Sequence, residues 1–245
     1  MLSNRIKEYF NVKNLIFLLS IIMFAWLCWY FYTGFGGGME LAANLVPIAL
    51  MLQILHKHQN GYIYKRLSPT ANRILVVIYM GICLYAFYHF HMEYEQISIY
   101  RQGSYTREDF IMGLLVFLLV MELSRITHSE LFWVNVIMVF YTLWGYLSPI
   151  DFFWHPGTSF YRVVTSSTVE LSTGIYGQYA QIALTTIGAF LLLAAAAQGF
   201  DAQGAMVSFM RRIAGKSRQT IPQTAVLASS AVGMISGSGA ANATV

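Results

Sequence analysis

Five small polar residues near the end of the chain have the types and spacing of an ion-binding site. Ser236, Gly237, Ser238, Gly239 and Asn242 lie in the stretch LASSAVGMISGSGAANATV, residues 227–245. Glycines let backbone carbonyls turn away from helical geometry, and carbonyl, hydroxyl and amide oxygens are ligands for a weakly held alkali ion. A helix that breaks here also presents N–H groups and its positive dipole end to an anion.

The path of this stretch through a membrane has two interpretations. It follows Pro222 and is apolar as far as Ile235, so the glycines and serines begin about 20 Å along a helix. It could be a straight seventh span whose small residues permit close helix packing. We favour a re-entrant hairpin with its tip near mid-membrane, where non-helical backbone is tolerated only under a cover of protein or a water-filled cavity.

Two other sets of polar residues invite a chemical interpretation. Glu122 and Arg125 are spaced i and i+3, close enough on a helix to form a structural ion pair, with a role in ion coupling as the alternative. Four histidines form two H-x-H pairs, but residues i and i+2 do not share a helix face, so a metal site is not predicted. The four are His56, His58, His89 and His91. We find no acid–base or metal constellation that would predict an enzyme.

The composition predicts an all-α polytopic membrane protein. The hydrophobic fraction is 57% and the charged fraction is 11%, and the apolar residues form blocks of about 20 without strand-like alternation. The two cysteines, Cys28 and Cys83, both lie inside apolar blocks, so no disulfide is expected. Six spans are predicted, followed by the start of the re-entrant hairpin. The predicted spans cover residues 15–35, 40–56, 74–92, 109–126, 130–148 and 176–199.

The positive charges predict the orientation of these spans. With the N-terminus in the cytoplasm, twelve of the fifteen Lys and Arg residues lie inside, and Arg101, Arg107 and Arg162 lie outside. The surplus of positive charge therefore reflects topology and does not indicate nucleic-acid binding. Trp26, Trp29 and other aromatic residues near the outer end of the first span are typical of an interfacial aromatic belt. The polar and aromatic residues 154–177 predict a partly helical segment at the outer surface.

Several motifs resemble one family of transport proteins. The run GKSRQTIPQTAVLASSAVGMISGSGAAN, residues 215–242, resembles the first hairpin segment of the large membrane subunit of TRAP (tripartite ATP-independent periplasmic) transporters. Asp109, Gly113, Glu122 and Arg125 fall at matching places in the signature of the fused permeases of the TAXI branch, as do HPG at 155–157 and TGIYG at 173–177. Thr173 stands where that branch usually has Glu.

The resemblance implies a sodium-driven importer of organic acids in the bacterial inner membrane, served by a periplasmic substrate-binding protein. It implies that Na⁺ and substrate are bound at Ser236, Gly237, Ser238, Gly239 and Asn242, with no organic cofactor. It also implies a small N-terminal module, residues 1–108, followed by the beginning of a large elevator module, residues 109–245, that stops within the first hairpin. The boundary is approximate, and in the alternative division the fourth span belongs to the small module. The alternative function is a non-transporting scaffold or assembly subunit of a larger membrane complex.

Overall fold

The chain is described by a computed structural model, which covers residues 12–61, 63, 64, 67–200, 205, 208 and 209. All regular elements within these residues are helices. The chain divides into two compact units, Met1–Gln181 and Ile182–Val245. The predicted hairpin falls outside the described residues, and the predicted module boundary near residue 108 stays a prediction.

In the described part of the first unit, five long helices are followed by a short one. The long helices are α1 (Val12–Thr33), α2 (Gly37–Gln59), α3 (Pro69–Glu95), α4 (Arg107–Thr127) and α5 (Ser129–Trp144), and the short one is α6 (Phe160–Thr168). A π-helical turn, Gln96–Tyr100, extends α3, and 3-10 turns lie at Gly145–Leu147, Asp151–Phe153 and Gly174–Tyr176. A last helix, α7 (Gln178–Ile182), begins in this unit.

The second unit is described mainly by one helical segment. A π-helical turn, Ala183–Ile187, leads into α8 (Gly188–Gly199). Beyond Phe200, the described residues are 205, 208 and 209.

Six helical segments in the described residues are long and apolar enough to cross a membrane, which confirms the all-α fold and the number of spans. The second span is longer than predicted: α2 has 23 residues, Gly37–Gln59, whereas the prediction gave 40–56. The hydropathy pattern ended early because Glu40, His56 and His58 lie in the first and last turns of this helix.

Capping residues fix where the helices begin. Ser68 accepts a hydrogen bond from the Ala71 N–H at the start of α3, and Pro69 occupies the first turn, where its missing N–H does no harm. Thr106 and Asp109 form a reciprocal capping box at the start of α4. The turn before α2 uses Gly36 at a φ of 81°, a left-handed conformation that glycine adopts without strain.

Contacts between polar groups show which helix ends meet. We call the end where α1 ends and α2 begins the predicted outer end; α3 ends and α4 begins there too, since Asn44 contacts His91 and His89 contacts Asp109. At the predicted inner end, Lys57 of α2 contacts the carbonyl of Ile126 near the end of α4. The long helices therefore alternate in direction.

The main apolar cluster of the first unit lies toward the predicted outer end. It is formed by Ala43, Ala86, Phe90, Ile97, Tyr105, Met112, Val116, Val169, Leu171 and Tyr176. The rings of Phe90 and Tyr176 meet edge to face with centroids 4.5 Å apart. The segment 154–177, predicted to lie at the outer surface, is partly helical as expected, but Val164, Val169 and Tyr176 are fully buried. It therefore packs back into the helices through these apolar side chains.

Gly113 lets α4 and α6 approach closely. A Cβ atom at this position would collide with the side chain of Val169 and lie 3.1 Å from Thr168 Oγ1. The Thr168 hydroxyl donates a 2.8 Å hydrogen bond to the Gly113 carbonyl. A larger residue at position 113 would separate these two segments and disturb that bond.

We expect Gly113→Ala to lower the stability of the protein because the new methyl group has no space. The expected loss is about 1–3 kcal/mol, typical of overpacking. Thermal unfolding in detergent, followed by circular dichroism, measures it. Gly81→Ala is the matched control, since Gly81 also lies in a helix and its added Cβ would meet no atom within 4 Å. Equal melting temperatures for the two variants would contradict the proposed close approach.

The predicted orientation can be tested by cysteine labelling. In a background with Cys28 and Cys83 replaced by alanine, we expect Gln102→Cys to react with a membrane-impermeant maleimide in intact cells with a permeable outer membrane. Asn60→Cys should react only after the inner membrane is opened. Both positions are exposed and lie at opposite ends of α3. The reverse labelling pattern would show that the N-terminus is outside.

Candidate functional site

The described residues contain only part of the predicted site. Ser236, Gly237, Ser238, Gly239 and Asn242 lie outside them, so their role in ion and substrate binding stays a prediction. Glu122 and Arg125 are described, and they form an ion pair near the predicted inner end of α4, with 2.6 Å between Arg125 Nη2 and Glu122 Oε1.

The Glu122–Arg125 pair belongs to a larger cluster, which we call the inner cluster: Tyr64, Tyr79, Glu122 and Arg125. Tyr64 donates a hydrogen bond from its hydroxyl to Glu122, and that hydroxyl lies 3.0 Å from the hydroxyl of Tyr79. The guanidinium of Arg125 lies over the Tyr64 ring, 5.9 Å from its centroid. Burial, and then the hydrogen bond to Glu122, raise the pKa of Tyr64, so its hydroxyl stays a neutral donor.

Asn72 positions Tyr64 for this contact. Asn72 is fully buried, and its side-chain oxygen accepts a 2.9 Å hydrogen bond from the Tyr64 N–H. Its side-chain nitrogen lies within 3.2 Å of the carbonyls of Tyr64, Leu67 and Ser68. One amide therefore shapes the connection between α2 and α3 and presents the Tyr64 ring to Glu122. Sequence reasoning missed Asn72, since nothing in its neighbours marks a buried amide.

A second polar cluster lies at the predicted outer end; we call it the outer cluster: His89, Glu93, Arg101, Thr106 and Asp109. The Asp109 carboxylate is fully buried and accepts from His89 Nε2 at 2.7 Å and from the Thr106 N–H at 2.8 Å. Arg101 Nη1 lies 3.5 Å from Asp109 Oδ2, the oxygen that accepts from Thr106, and Arg101 Nη2 pairs with Glu93 Oε2 at 2.7 Å. These contacts join α3, the connection 101–106 and α4.

Only part of the outer cluster could be predicted from the sequence. The pattern T-x-x-D at 106–109 is a recognisable capping signal. His89, one of the four histidines of the H-x-H pairs, is 7% exposed and hydrogen-bonded to Asp109. The two residues are 20 positions apart on different helices, so no local spacing could have revealed the pair.

A cavity of about 540 Å³ lies at the predicted outer end between α1, α2 and α3. Its walls include the aromatic side chains of Trp26, Trp29, Tyr30 and Phe35, together with Glu40 and His91. The sequence had placed the first three of these aromatic residues in an interfacial belt; the structure brings them around one space that also contains a carboxylate.

A smaller cavity, of about 320 Å³, lies between α4, α5 and α6. Its polar wall is formed by Asn135, Thr142, Ser166, Ser167 and Thr168. The hydroxyls of Thr142 and Ser167 donate 2.7 Å hydrogen bonds to backbone carbonyls of their own helices. Hydroxyls used in this way keep acceptor lone pairs, but none of the residues lining this cavity is ionisable.

Within the described residues, the charged side chains form two clusters that join the ends of the helices. No group of three His, Cys, Asp or Glu side chains there could hold a metal ion. The ionised side chains of the inner and outer clusters are satisfied mainly by one another, which stabilises the ends of the helices.

A comparison with protein families finds a match for the C-terminal part of the chain. Residues 115–245 match the family described as tripartite ATP-independent periplasmic transporter, DctM component. The match covers more than half of the 245 residues and includes the Glu122–Arg125 pair, α5 and α6. No curated protein and no solved structure matches the chain.

We expect Asp109→Ala to destabilise the protein strongly, because it removes the cap of α4 and leaves His89 and Arg101 without their buried partner. Removing one member of a buried charge pair typically costs about 3–5 kcal/mol. Thermal unfolding in detergent measures the loss, and Glu108→Ala, at an exposed neighbouring carboxylate, is the control.

The double variant His89→Ala/Asp109→Ala distinguishes a specific pair from two independent losses. If the residues interact as described, the double variant loses less stability than the sum of the two single variants. Strict additivity would show that the contact contributes nothing.

Proposed function

Because the chain belongs to the DctM-component family of tripartite ATP-independent periplasmic transporters, we propose that it is a permease that imports organic acids with sodium ions. The family is one of membrane permeases rather than enzymes. The finer assignments, which are sodium coupling, organic acid substrates and the fused TAXI branch, are our proposal. They rest on the motifs at residues 107–137, 155–157, 173–177 and 215–242.

The family match is the observation that carries this proposal. It extends over residues 115–245 and so includes the Ser, Gly and Asn residues of the proposed ion site. The six apolar helices support it independently, because a permease must surround a path through the membrane.

In the proposed mechanism, a periplasmic binding protein delivers the organic acid to the outer face of the permease in the inner membrane. Carbonyl and hydroxyl oxygens around Ser236, Gly237, Ser238, Gly239 and Asn242 hold Na⁺. The broken helix end nearby attracts the substrate carboxylate. The bound sodium couples import to the sodium gradient, since cation and anion offset each other's charge at one site.

The inner and outer clusters are suited to a part of the transporter that does not move during transport. Each joins several helices at a membrane surface through charge-assisted hydrogen bonds, which are shorter and stronger than neutral ones. A transporter that moves its binding site requires a frame against which the movement occurs. We assign that role to α1–α4, with the fourth span counted in the small module, because both clusters attach α4 to α3.

Uptake into proteoliposomes tests the proposal. The permease is reconstituted with its binding protein, and uptake of radiolabelled succinate, 2-oxoglutarate and glutamate is followed with an inward sodium gradient. We expect uptake of at least one of these acids to fall about tenfold when potassium replaces sodium, the factor that corresponds to roughly 1.4 kcal/mol. Ser238→Ala should lower uptake similarly, whereas Ser129→Ala, at the exposed start of α5, should not.

The same experiment addresses the scaffold alternative. One observation favours it: α5 has no buried residue and α1 has two, so their apolar faces are largely uncovered in the described part of the chain. Such faces suit packing against a partner subunit as well as contact with lipid. A scaffold would leave uptake by the complex unchanged in Ser236→Ala and Ser238→Ala. Sodium-independent accumulation would reject the symporter.

A further inference from the structure

The cavity between α1, α2 and α3 is lined by one carboxylate, that of Glu40. Glu40 lies in the first turn of α2, and its side chain folds back over Gly36, where a Cβ atom would collide with it. Within the described residues, its carboxylate has no ion pair and accepts no hydrogen bond. Glu40 is half-buried at the predicted outer end, so its carboxylate is accessible to a cation at the membrane surface.

Four aromatic side chains lie around the same space as this carboxylate. Trp26, Trp29, Tyr30 and Phe35 line the same cavity. The faces of such rings carry negative electrostatic potential and attract cations, with Trp the most effective. A carboxylate among four aromatic side chains is therefore a site for a cation.

His91 adds a second hydrogen-bond acceptor. The Asn44 side chain donates from Nδ2 to the Glu40 carbonyl at 2.9 Å, so its Oδ1 accepts from His91 Nδ1 at 3.2 Å. In the tautomer that carries its proton on Nδ1, an imidazole keeps a lone pair on Nε2. Two acceptors, the carboxylate and this nitrogen, suit a cation with several N–H donors better than a fully methylated one.

The shape of the cavity indicates what the cation is attached to. From Phe35 and Glu40 at the predicted outer end, the lining continues along α1 to Ile22 and Ala25. Ile22 lies about 16 Å from Thr33 along the helix at the usual rise per residue. Ile21 and Leu18, farther along α1, are exposed and apolar. The polar pocket at the membrane surface matches the headgroup of a phospholipid, and the apolar groove that continues from it matches an acyl chain.

We propose that this cavity binds the headgroup of phosphatidylethanolamine from the surrounding leaflet. The primary ammonium donates hydrogen bonds to Glu40 and His91 and lies against the aromatic faces, while an acyl chain follows α1 past Ala25 and Ile22. The bound lipid fills the space between α1 and the other helices. Lipid binding at this place does not depend on the proposed transport activity.

Native mass spectrometry tests this proposal. The purified full chain is exchanged into detergent with an equimolar mixture of phosphatidylethanolamine, phosphatidylcholine and phosphatidylglycerol with identical acyl chains, and retained lipids are counted. We expect preferential retention of one phosphatidylethanolamine, with phosphatidylcholine weaker and phosphatidylglycerol weakest. Glu40→Gln should reduce the preference for phosphatidylethanolamine over phosphatidylglycerol about tenfold, as loss of a partly buried charge contact of about 1.4 kcal/mol would.

Matched controls separate this site from general surface effects. Glu108→Gln removes an exposed carboxylate at the same predicted end and should leave the preference unchanged. Trp29→Leu should weaken retention, whereas Trp133→Leu, at a similarly exposed tryptophan of α5, should not. The tryptophan pair decides the question if Glu40→Gln fails to fold. Equal retention of phosphatidylethanolamine and phosphatidylglycerol would overturn the proposal, as would a preference that survives Glu40→Gln or Trp29→Leu.

Discussion

The buried carboxylate of Asp109 is the interaction on which the predicted outer end of this protein depends. A membrane interior offers no water to solvate a charge, so a fully buried carboxylate requires partners from the protein itself. Asp109 receives them from three places along the chain: His89 in α3, Arg101 in the connection and Thr106 at the start of α4. Because these partners converge on one group, they fix the relative position of α3 and α4 at this end.

At the predicted inner end, the carboxylate of Glu122 also receives its partners from the protein. Glu122 is paired with Arg125 on its own helix and receives a hydrogen bond from Tyr64, which is held by the buried amide of Asn72. Lys57 donates a 3.3 Å hydrogen bond to the carbonyl of Ile126, one of the carbonyls that the end of α4 leaves without an intrahelical partner. The first unit thus has a polar network at each end, and its apolar cluster lies next to the outer one.

The parts of this structure that follow from local chemistry were predictable from the sequence. Hydropathy predicts the spans because the bilayer core accepts few polar or charged side chains. Glu122 and Arg125 are three residues apart, and that spacing indicates a pair on one helix face. The contact between His89 and Asp109 required knowledge of which helix ends meet, and so did the burial of Tyr176 against Phe90. A hydropathy pattern places the end of a span near a polar residue. The predicted second span therefore began at Glu40, although α2 begins at Gly37.

For the proposed ion site, too, the sequence indicates the residue types but not how they are brought together. The residue types at 236–242 indicate what kind of ligand they could hold, since glycine, serine and asparagine supply oxygens in a flexible backbone. Their assembly into a site depends on long-range packing, which neither composition nor spacing specifies. The family match supports the proposed activity without supplying that geometry.

The contrast between α1 and α2 has a consequence for how the chain enters the membrane during synthesis. The most hydrophobic window of α1 has a mean hydropathy of 2.1 and is 11% buried, whereas that of α2 has 1.6 and is 56% buried. The first helix can therefore partition from the translocon into lipid unaided. The second contains Asn44, whose side chain contacts His91 of α3, so we expect α2 to enter the lipid more readily once α3 has been made and can pair with it.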